Sequence, residues 1–558
     1  MPSLTPSTGA SAAPTDFEGA LHRRDSPGYA GPGPRATAAA GSRHAAVTPH
    51  HLATAAALDL MRVGGNAVDA AIAANAVLGM VDPTICGIGG DLLALVHSPG
   101  LKAPGALNSS GRGGSGLDAA ALRAAGHHTV PLRSRAAVTV PGCVDGWEAL
   151  AGRYGTKSLA ELLAPAICLG EEGFPVSVEL ADALHRIHRL VAGQPSAHEL
   201  FPEGHPPAPG QTLTRPRLAA TLAEVADHGR QAFYSGRIGA LIIKATGGLI
   251  NREDLVANRA DWVDPIGLSV FGQTAWTLPP NSQGYLTLAA AWLLEHLAPP
   301  ADPADAAFHH TVVEAYRAVA WERDRLVCDP SRASLSPESL LDPARLQSRL
   351  GAISPDRPAR WPQSRARGGD TAFLCTVDAA GCGVSLIQSN YSGIGSGISA
   401  GDSGIWLHNR GACFSLDQGH PNEASPRRRP MTTLSPTLWT RKDQLSLLLG
   451  TRGGYQQPQY LLQVAALHFV AGLDLSSAQA TPRWQMDDRP DGAPSAILTE
   501  AGMPEDVVVG LAARGHLVSR GPELPAAWGP VSVISVAADG CRLAAADPRV
   551  TTAAAGAD

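Results

Sequence analysis

No apolar run in this sequence is long enough to cross a membrane, which sets aside a helical channel or pump. The first forty residues lack a basic stretch followed by an apolar one, so no secretory signal is expected. Eight cysteines are scattered along 558 residues without a CxxC pair, which argues against a zinc ribbon or a disulfide framework. They read as reduced thiols, mostly partly buried, and a cytoplasmic protein is the expectation. The formal charge is −6, so there is no basic surplus to hold nucleic acid. The histidine pairs at 50–51, 127–128 and 309–310 have no partners at metal-ligand spacing, and no metal is expected. "GIGSGISAG" has a GxG but no following helix and distant acid, so no dinucleotide cofactor is expected. No Ser-His-Asp motif is visible, and "GDSGIWL" is not a G-x-S-x-G elbow.

The length itself predicts two domains or one large layered unit. Residues 1–43, rich in Pro, Ala, Gly and Ser, read as a flexible tail. "HHLATAAALDLMRVGG" predicts a helix ended by Gly64-Gly65. Asn66 then caps a second helix, "NAVDAAIAANAVLGMV", with Asp69 closing a capping box; its apolar circumference predicts burial. The glycines of "CGIGGD" allow close backbone approach, and "LLALVH" reads as a strand. From Ala137 to Leu350 the pattern is mainly helical. Residues 354–370, "SPDRPARWPQSRARGGD", read as an exposed linker. Beyond them "TAFLCTVD" and "GVSLIQSN" form a hairpin across "AAGC"; "LSLLLG", "SVISVAAD" and "CRLAAAD" are further strands around the helix "YLLQVAALHFVAGL". The class is α/β (α+β), with helices and strands in one layered core.

The linker meets the strand at Asp370-Thr371. A threonine hydroxyl is a weak nucleophile and needs a base. If Thr371 began a chain, its own α-amino group, with a reference pKa of about 7.7–8.0, would supply one. That requires scission between Asp370 and Thr371. The alternative is a linker running into a strand that starts with a β-favouring residue.

Eight segments stand in order: "GGNAVDAAIAANAVLGMVDPTICGIGGD", "AVTVPGCVDGWEAL", "LLAPAICLGEEGFPVS", "NREDLVANRADWVDPI", "DTAFLCTVDAAGCGVSL", "GDSGIWLHN", "RRRPMTTLSPTLW" and "AADPRV". Together, from about His44 to Arg549, they resemble the γ-glutamyltranspeptidase (glutathione hydrolase) family. "LIQSNYSGIGSG" and "LPPNSQG" look most like a divergent bacterial branch that includes oxamate amidohydrolases. The resemblance implies an Ntn-hydrolase fold, a four-layer αββα sandwich. It implies a precursor that cuts itself before Thr371 into a large chain (44–370, behind the tail) and a small catalytic chain (371–558). The two would stay associated, with room for a dimer of such pairs. The substrate would be a small molecule, with no metal, cofactor, nucleic acid or membrane partner.

The same resemblance assigns roles. Thr371 is nucleophile and α-amino base. Gly453-Gly454 form the oxyanion hole, although a glycine turn after "LSLLLG" reads equally well. Ser389 supports the nucleophile, or is a turn residue. Arg112 falls near an arginine that clamps the donor's carboxylate, or is a surface arginine in a glycine loop. Thr432 and Thr433 match hydroxyls that hold the same carboxylate, or are plain strand threonines. "RRR" at 427–429 reads as a solvated loop.

Departures from the family pattern bear on substrate. Where γ-glutamyl-specific members carry a Glu and an Asp for the donor's ammonium, this chain has Arg410 and Cys413; a family asparagine is replaced by Tyr391. An arginine repels an ammonium. The expectation is hydrolysis of an amide-type bond of a small carboxylate-bearing acyl group, such as oxalyl or glutaryl, with Arg410 facing it or turned to solvent. The alternatives are true γ-glutamyl transfer or glutathione hydrolysis, C–C hydrolysis releasing an oxalyl-like fragment in alkylproline antibiotic pathways, and an uncut non-catalytic homologue.

Overall fold

The computed structural model describes residues 38–362, 369–487 and 496–558. Two seven-stranded sheets form the middle of the molecule. The first runs, in spatial order, Ala554–Ala557, Ala45–Thr48, Asp370–Val377, Gly383–Tyr391, Asp91–His97, Gly105–Ser109 and Asp261–Val263. The second runs Ala38–Gly41, Arg542–Ala545, Val531–Val536, Gln444–Thr451, Thr437–Arg441, Gln273–Thr277 and Ile266–Val270. All pairings in both sheets are antiparallel.

Side-chain alternation sets the layers. Along Asp370–Val377, Phe373, Cys375 and Val377 pack between the sheets with Leu93, Ile387 and Leu448. Ala372 and Leu374 face the other way, beneath the helices Ala67–Val81, Cys143–Tyr154 and Leu159–Glu172. The helices Tyr285–Leu297, Ala306–Ala320 and Gln457–Phe469 cover the outer face of the second sheet through Trp439, Leu449 and Val533. The result is helix, sheet, sheet, helix: the expected αββα sandwich. Close contact between the sheets depends on Gly450, where a Cβ would lie 2.1 Å from the Phe373 ring.

The helix Ala67–Val81 is buried along its whole length and starts at the expected Asn66/Asp69 capping box. The buried Asp69 carboxylate also accepts from the Thr156 amide at 3.0 Å, which satisfies a charge placed deep in the core. The hairpin across Asp378–Cys382 is present, closed by Asp378 N donating to Cys382 O at 3.0 Å. All eight cysteines are free thiols; Cys168 and Cys541 are exposed and Cys382 is half-buried. Among the described residues no helix is long and apolar enough to cross a membrane.

Three expectations need correction. Most of the anticipated N-terminal tail lies outside the described residues, but Ala38–Gly41 is a strand paired with Arg542–Ala545. The mainly helical stretch also holds three strands between Asp261 and Thr277, which complete one edge of each sheet. Ile266, Leu268 and Val270 alternate inward as strand residues do, and the chain reverses through Phe271 and Gly272 at φ 51° and 70°. The linker is not free at its start: His310 Nε2 and Ser354 O are 2.8 Å apart, and the Ala359 amide donates to Glu314 at 2.8 Å. Residues 363–368 of the linker lie outside the described residues.

Both sheets interleave strands from either side of Asp370-Thr371. Asp370–Val377 pairs with Ala45–Thr48 on one side and Gly383–Tyr391 on the other, and Gly383–Tyr391 pairs in turn with Asp91–His97.

Candidate active site

The register around Thr371 is irregular. Asp370 pairs with Tyr391 and Ala372 with Gln388, so Thr371 alone faces two residues, Ser389 and Asn390. This is a β-bulge, which bends a strand and re-aims side chains. Asn390 anchors it: its amide donates to Ile85 O at 3.0 Å, and its side chain donates to Pro83 O and Cys86 O at 3.2 and 3.0 Å. Gly90 permits the neighbouring backbone to close in, since a Cβ there would lie 2.3 Å from Ser389 O.

The bulge brings three groups together. Thr371, 1% exposed, donates from Oγ1 to Ser389 Oγ at 3.3 Å. Ser389 Oγ donates to the Asp370 carbonyl oxygen at 2.5 Å and accepts from the Tyr391 amide at 2.7 Å. A hydroxyl is therefore aimed at the carbonyl next to Thr371, where it can stabilise negative charge developing on that oxygen. The expected nucleophile and its supporting serine are in contact.

Gly453 and Gly454 follow the strand Gln444–Thr451, at φ 118° and 57°, in the left-handed region that favours glycine. Gly454 lies against the residue before the junction: a Cβ on Gly369 would be 3.2 Å from Gly454 Cα and 3.2 Å from the Tyr391 ring. Gln283, in "LPPNSQG", ties this turn to the next segment by donating to both Gly454 O and Thr433 O at 3.0 Å.

Arg410 is fully buried, so the solvent-turned alternative is excluded. Its Nε donates to Asp91 Oδ2 at 2.7 Å and its Nη2 to Asp91 Oδ1 at 3.3 Å, a two-point pair. Nη1 donates to Thr433 Oγ1 at 3.1 Å, and Cys413 Sγ lies 3.9 Å away. The guanidinium stacks on the Tyr391 ring at 4.6 Å. Burial works against the charge, but Asp91, with Cys413 and Tyr391 adding to it, raises the Arg410 pKa overall. Tyr391 itself is at φ 72°, an uncommon conformation for an aromatic residue. Burial, with Cys413 and Tyr455 adding to it, keeps its phenol protonated.

Of the threonine pair, Thr433 belongs to this cluster, whereas Arg112 is held by a different acid. Arg112 Nη2 donates to Asp261 Oδ2 at 2.9 Å, and Arg429 binds the same carboxylate. Burial would raise the Asp261 carboxyl, but Arg429 and Arg112 hold it below its usual value. Arg429 is buried, so the third arginine of "RRR" is structural rather than solvated. Thr432 is buried, with its amide on Asn281 O at 2.8 Å; Asn281 reaches Ser110 and hence the Arg112 loop.

Asp82, at the end of the helix Ala67–Val81, was not anticipated. Burial pushes its carboxyl up to about 6, against the opposing Thr84 hydrogen bond and Arg452, while the Asp370 carboxylate adds to the rise. Asp91, Gln283 and Asn409 were also not singled out, though "GGD" and "LHN" contain the first and last. A recess of about 270 Å³ has Thr371, Phe373, Arg452 and Ser532 in its walls. Another, of about 550 Å³, is walled by Cys413, Met431, Tyr455, His128, Asp324 and Asn422. Among the described residues no three His, Cys, Asp or Glu side chains cluster as metal ligands.

Known proteins show the same organisation. The gamma-glutamyltranspeptidase family model matches residues 53–557. A glutathione hydrolase-like YwrD proenzyme of Bacillus subtilis is 34% identical over 525 residues, 92% of this chain and 99% of that one. An oxamate amidohydrolase proenzyme of Klebsiella pneumoniae is 34% identical over 524 residues, 92% of this chain and 98% of that one. The crystal structure of a cephalosporin acylase from Bacillus halodurans superposes with a TM-score of 0.87 at 32% identity, covering 96% of this chain and 99% of that one. With this match over nearly its whole length, on the αββα framework, the chain belongs to the gamma-glutamyltranspeptidase family and is an Ntn hydrolase/acyltransferase of that family.

Proposed function

We propose that the protein cuts itself between Asp370 and Thr371 and then hydrolyses an amide-type bond of a small carboxylate-bearing acyl group through an acyl-Thr371 intermediate. The contact chain from Thr371 Oγ1 to Ser389 Oγ to the Asp370 carbonyl carries this reading. In self-cleavage the threonine oxygen adds to the Asp370 carbonyl carbon and the C–N bond breaks. This leaves an ester on Oγ1 and a free amine on Thr371, and one water then releases the Asp370 carboxylate. In catalysis the new α-amino group takes the hydroxyl proton as Oγ1 attacks the substrate carbonyl. The leaving amine receives that proton, and water resolves the ester. Gly453 and Gly454 are assigned to the oxyanion of these later steps. The recess beside Tyr455 and Cys413 offers room for the leaving group.

The substrate reading rests on Asp91 and Arg410. Where an ammonium-bearing donor needs free acids, this chain has an arginine whose acidic partner, Asp91, is engaged at both oxygens. A relative named for oxamate hydrolysis fits a donor that lacks the amine. Denaturing electrophoresis tests the first part: wild type gives two bands and Thr371→Ala one, whereas an uncut but active wild type would sink the mechanism. A kcat/KM series on γ-glutamyl, glutaryl, succinyl and oxalyl amides of one amine tests the second; a clear lead for γ-glutamyl overturns it.

A further inference from the structure

We infer that the slot now holding the Asp370 carboxylate becomes the substrate's carboxylate site after cleavage, with Arg133 and the Gly393 amide as its donors. This rests on the function proposed above and names how its acyl group is held. The Gly393 amide donates to Asp370 Oδ2 at 3.1 Å. Arg133 borders the same amide: its Nη2 lies 3.1 Å from where a Gly393 Cβ would be. Its Nη1 donates to Ser392 O at 3.0 Å and also to Gly395 O, which fixes the guanidinium on the loop edge. Burial lowers the Arg133 pKa, and the Asp370 carboxylate offsets part of that. Beneath the slot, buried Asn409 accepts from the Ser392 amide at 3.0 Å and donates to Leu132 O at 3.2 Å, joining the two loops that form it.

The chemistry of the junction gives the slot its meaning. Asp370 is itself an acyl group: its carbonyl is the one Thr371 attacks, and its side chain carries a carboxylate. Its Cα and Cβ separate that carboxylate from the reacting carbonyl carbon, which is a succinyl skeleton. The uncut chain thus presents to Thr371 the same class of bond as the proposed substrate. When the ester on Thr371 is hydrolysed, Asp370 gains a second carboxylate next to its own side-chain carboxylate. Repulsion then favours withdrawal of the new chain end and frees the slot. Half-amides with two carbons between carbonyl and carboxylate fit it better than oxalyl or glutaryl ones.

The test uses the processed enzyme with succinyl, oxalyl, glutaryl and butyryl amides of one chromogenic amine. Wild type should prefer succinyl, and Arg133→Met should lower the succinyl-to-butyryl ratio of kcat/KM by about 10- to 100-fold, with partial recovery in Arg133→Lys. N-acetyl-L-aspartate should inhibit wild type competitively, N-acetyl-L-alanine far less. If processed Arg133→Met keeps the wild-type ratio, this inference is overturned while the proposed function stands. If wild type itself does not discriminate succinyl from butyryl, the carboxylate-bearing substrate class falls, and this site with it. Should Arg133→Met fail to process, the competition on wild type decides: equal inhibition by the two acetyl-amino acids overturns the slot.

Discussion

Asp91 and Arg410 form a two-point ion pair with neither side chain exposed, one residue on each side of the Asp370-Thr371 junction in the chain. Each neutralises the other, so changing one alone leaves a buried charge. Arg410→Met should cost about 3–5 kcal/mol, and Asp91→Asn with Arg410→Met should recover part of that loss. Urea unfolding of the uncut Thr371→Ala background measures both. Equal destabilisation in the single and double variants would show that the pair contributes packing rather than charge balance.

The same pair decides how specificity must be tested. Arg410→Glu alone sets two buried carboxylates against each other and disrupts the pocket. Asp91→Asn with Arg410→Glu leaves one acid facing Tyr391 and Thr433. This double variant should raise the γ-glutamyl-to-glutaryl ratio of kcat/KM by about 10-fold or more, since a charge-assisted contact is regained. An unchanged ratio means that the pair does not face the donor.

Ser389 supplies the hydroxyl on the Asp370 carbonyl, at the bond proposed to be cut. Removing one such donor typically slows a reaction by about 10²–10³, and Ser389→Ala should slow band conversion by that order. Conversion at the wild-type rate would reassign Ser389 to the bulge alone.

Gly453 has φ 118°, and a Cβ there would lie 2.8 Å from the Tyr460 ring. Gly453→Ala should lower the thermal midpoint, with a cost of about 1–3 kcal/mol from the strained backbone, and reduce turnover as the turn shifts. Retention of both stability and activity would remove this turn from the site.

Asp82 gives a pH signature. Burial, the largest influence, raises its folded pKa to about 6, so the folded chain keeps a proton that the unfolded chain releases. Stability contributed by this group is therefore present below about pH 4 and is lost as pH rises towards 6, by up to about 3 kcal/mol. In the Thr371→Ala background, Asp82→Asn should be more stable than its parent at about pH 7 and nearly equal at about pH 3, below both the folded and the unfolded value. A gap that does not change with pH refutes the buried-acid account.

Local grammar made part of this legible from sequence. Asn66 and Asp69 announce a capped helix, "AAGC" a hairpin, and the break at Thr371 a junction, because each signal lies within a few residues. The Asp91–Arg410 pair joins residues 319 positions apart and leaves no periodic trace, so Arg410 could be read as open to substrate or to solvent. The strands at Ile266–Val270 and Gln273–Thr277 did alternate, but they are short and embedded among helices. Arg133 carries no signal in the sequence, since only the fold sets it beside Gly393.

The interleaved sheets have a consequence for the history of the molecule. The proposed cut at Asp370-Thr371 removes one covalent bond; the new chain end gives up the Asp370–Tyr391 pairing when it withdraws, while Ala372–Val377 keeps its pairings with Ala45–Val47 and Gly383–Gln388. The uncut chain brings these strands together as one body, at a loop-closure cost that grows only slowly with length. Two separated fragments would have to meet in solution and weave fourteen strands from a mixed inventory. Under the proposed cleavage, maturation would work as a ratchet: the cut protein would keep its shape by the barrier to unfolding, and once lost, that shape would not be recovered from the pieces.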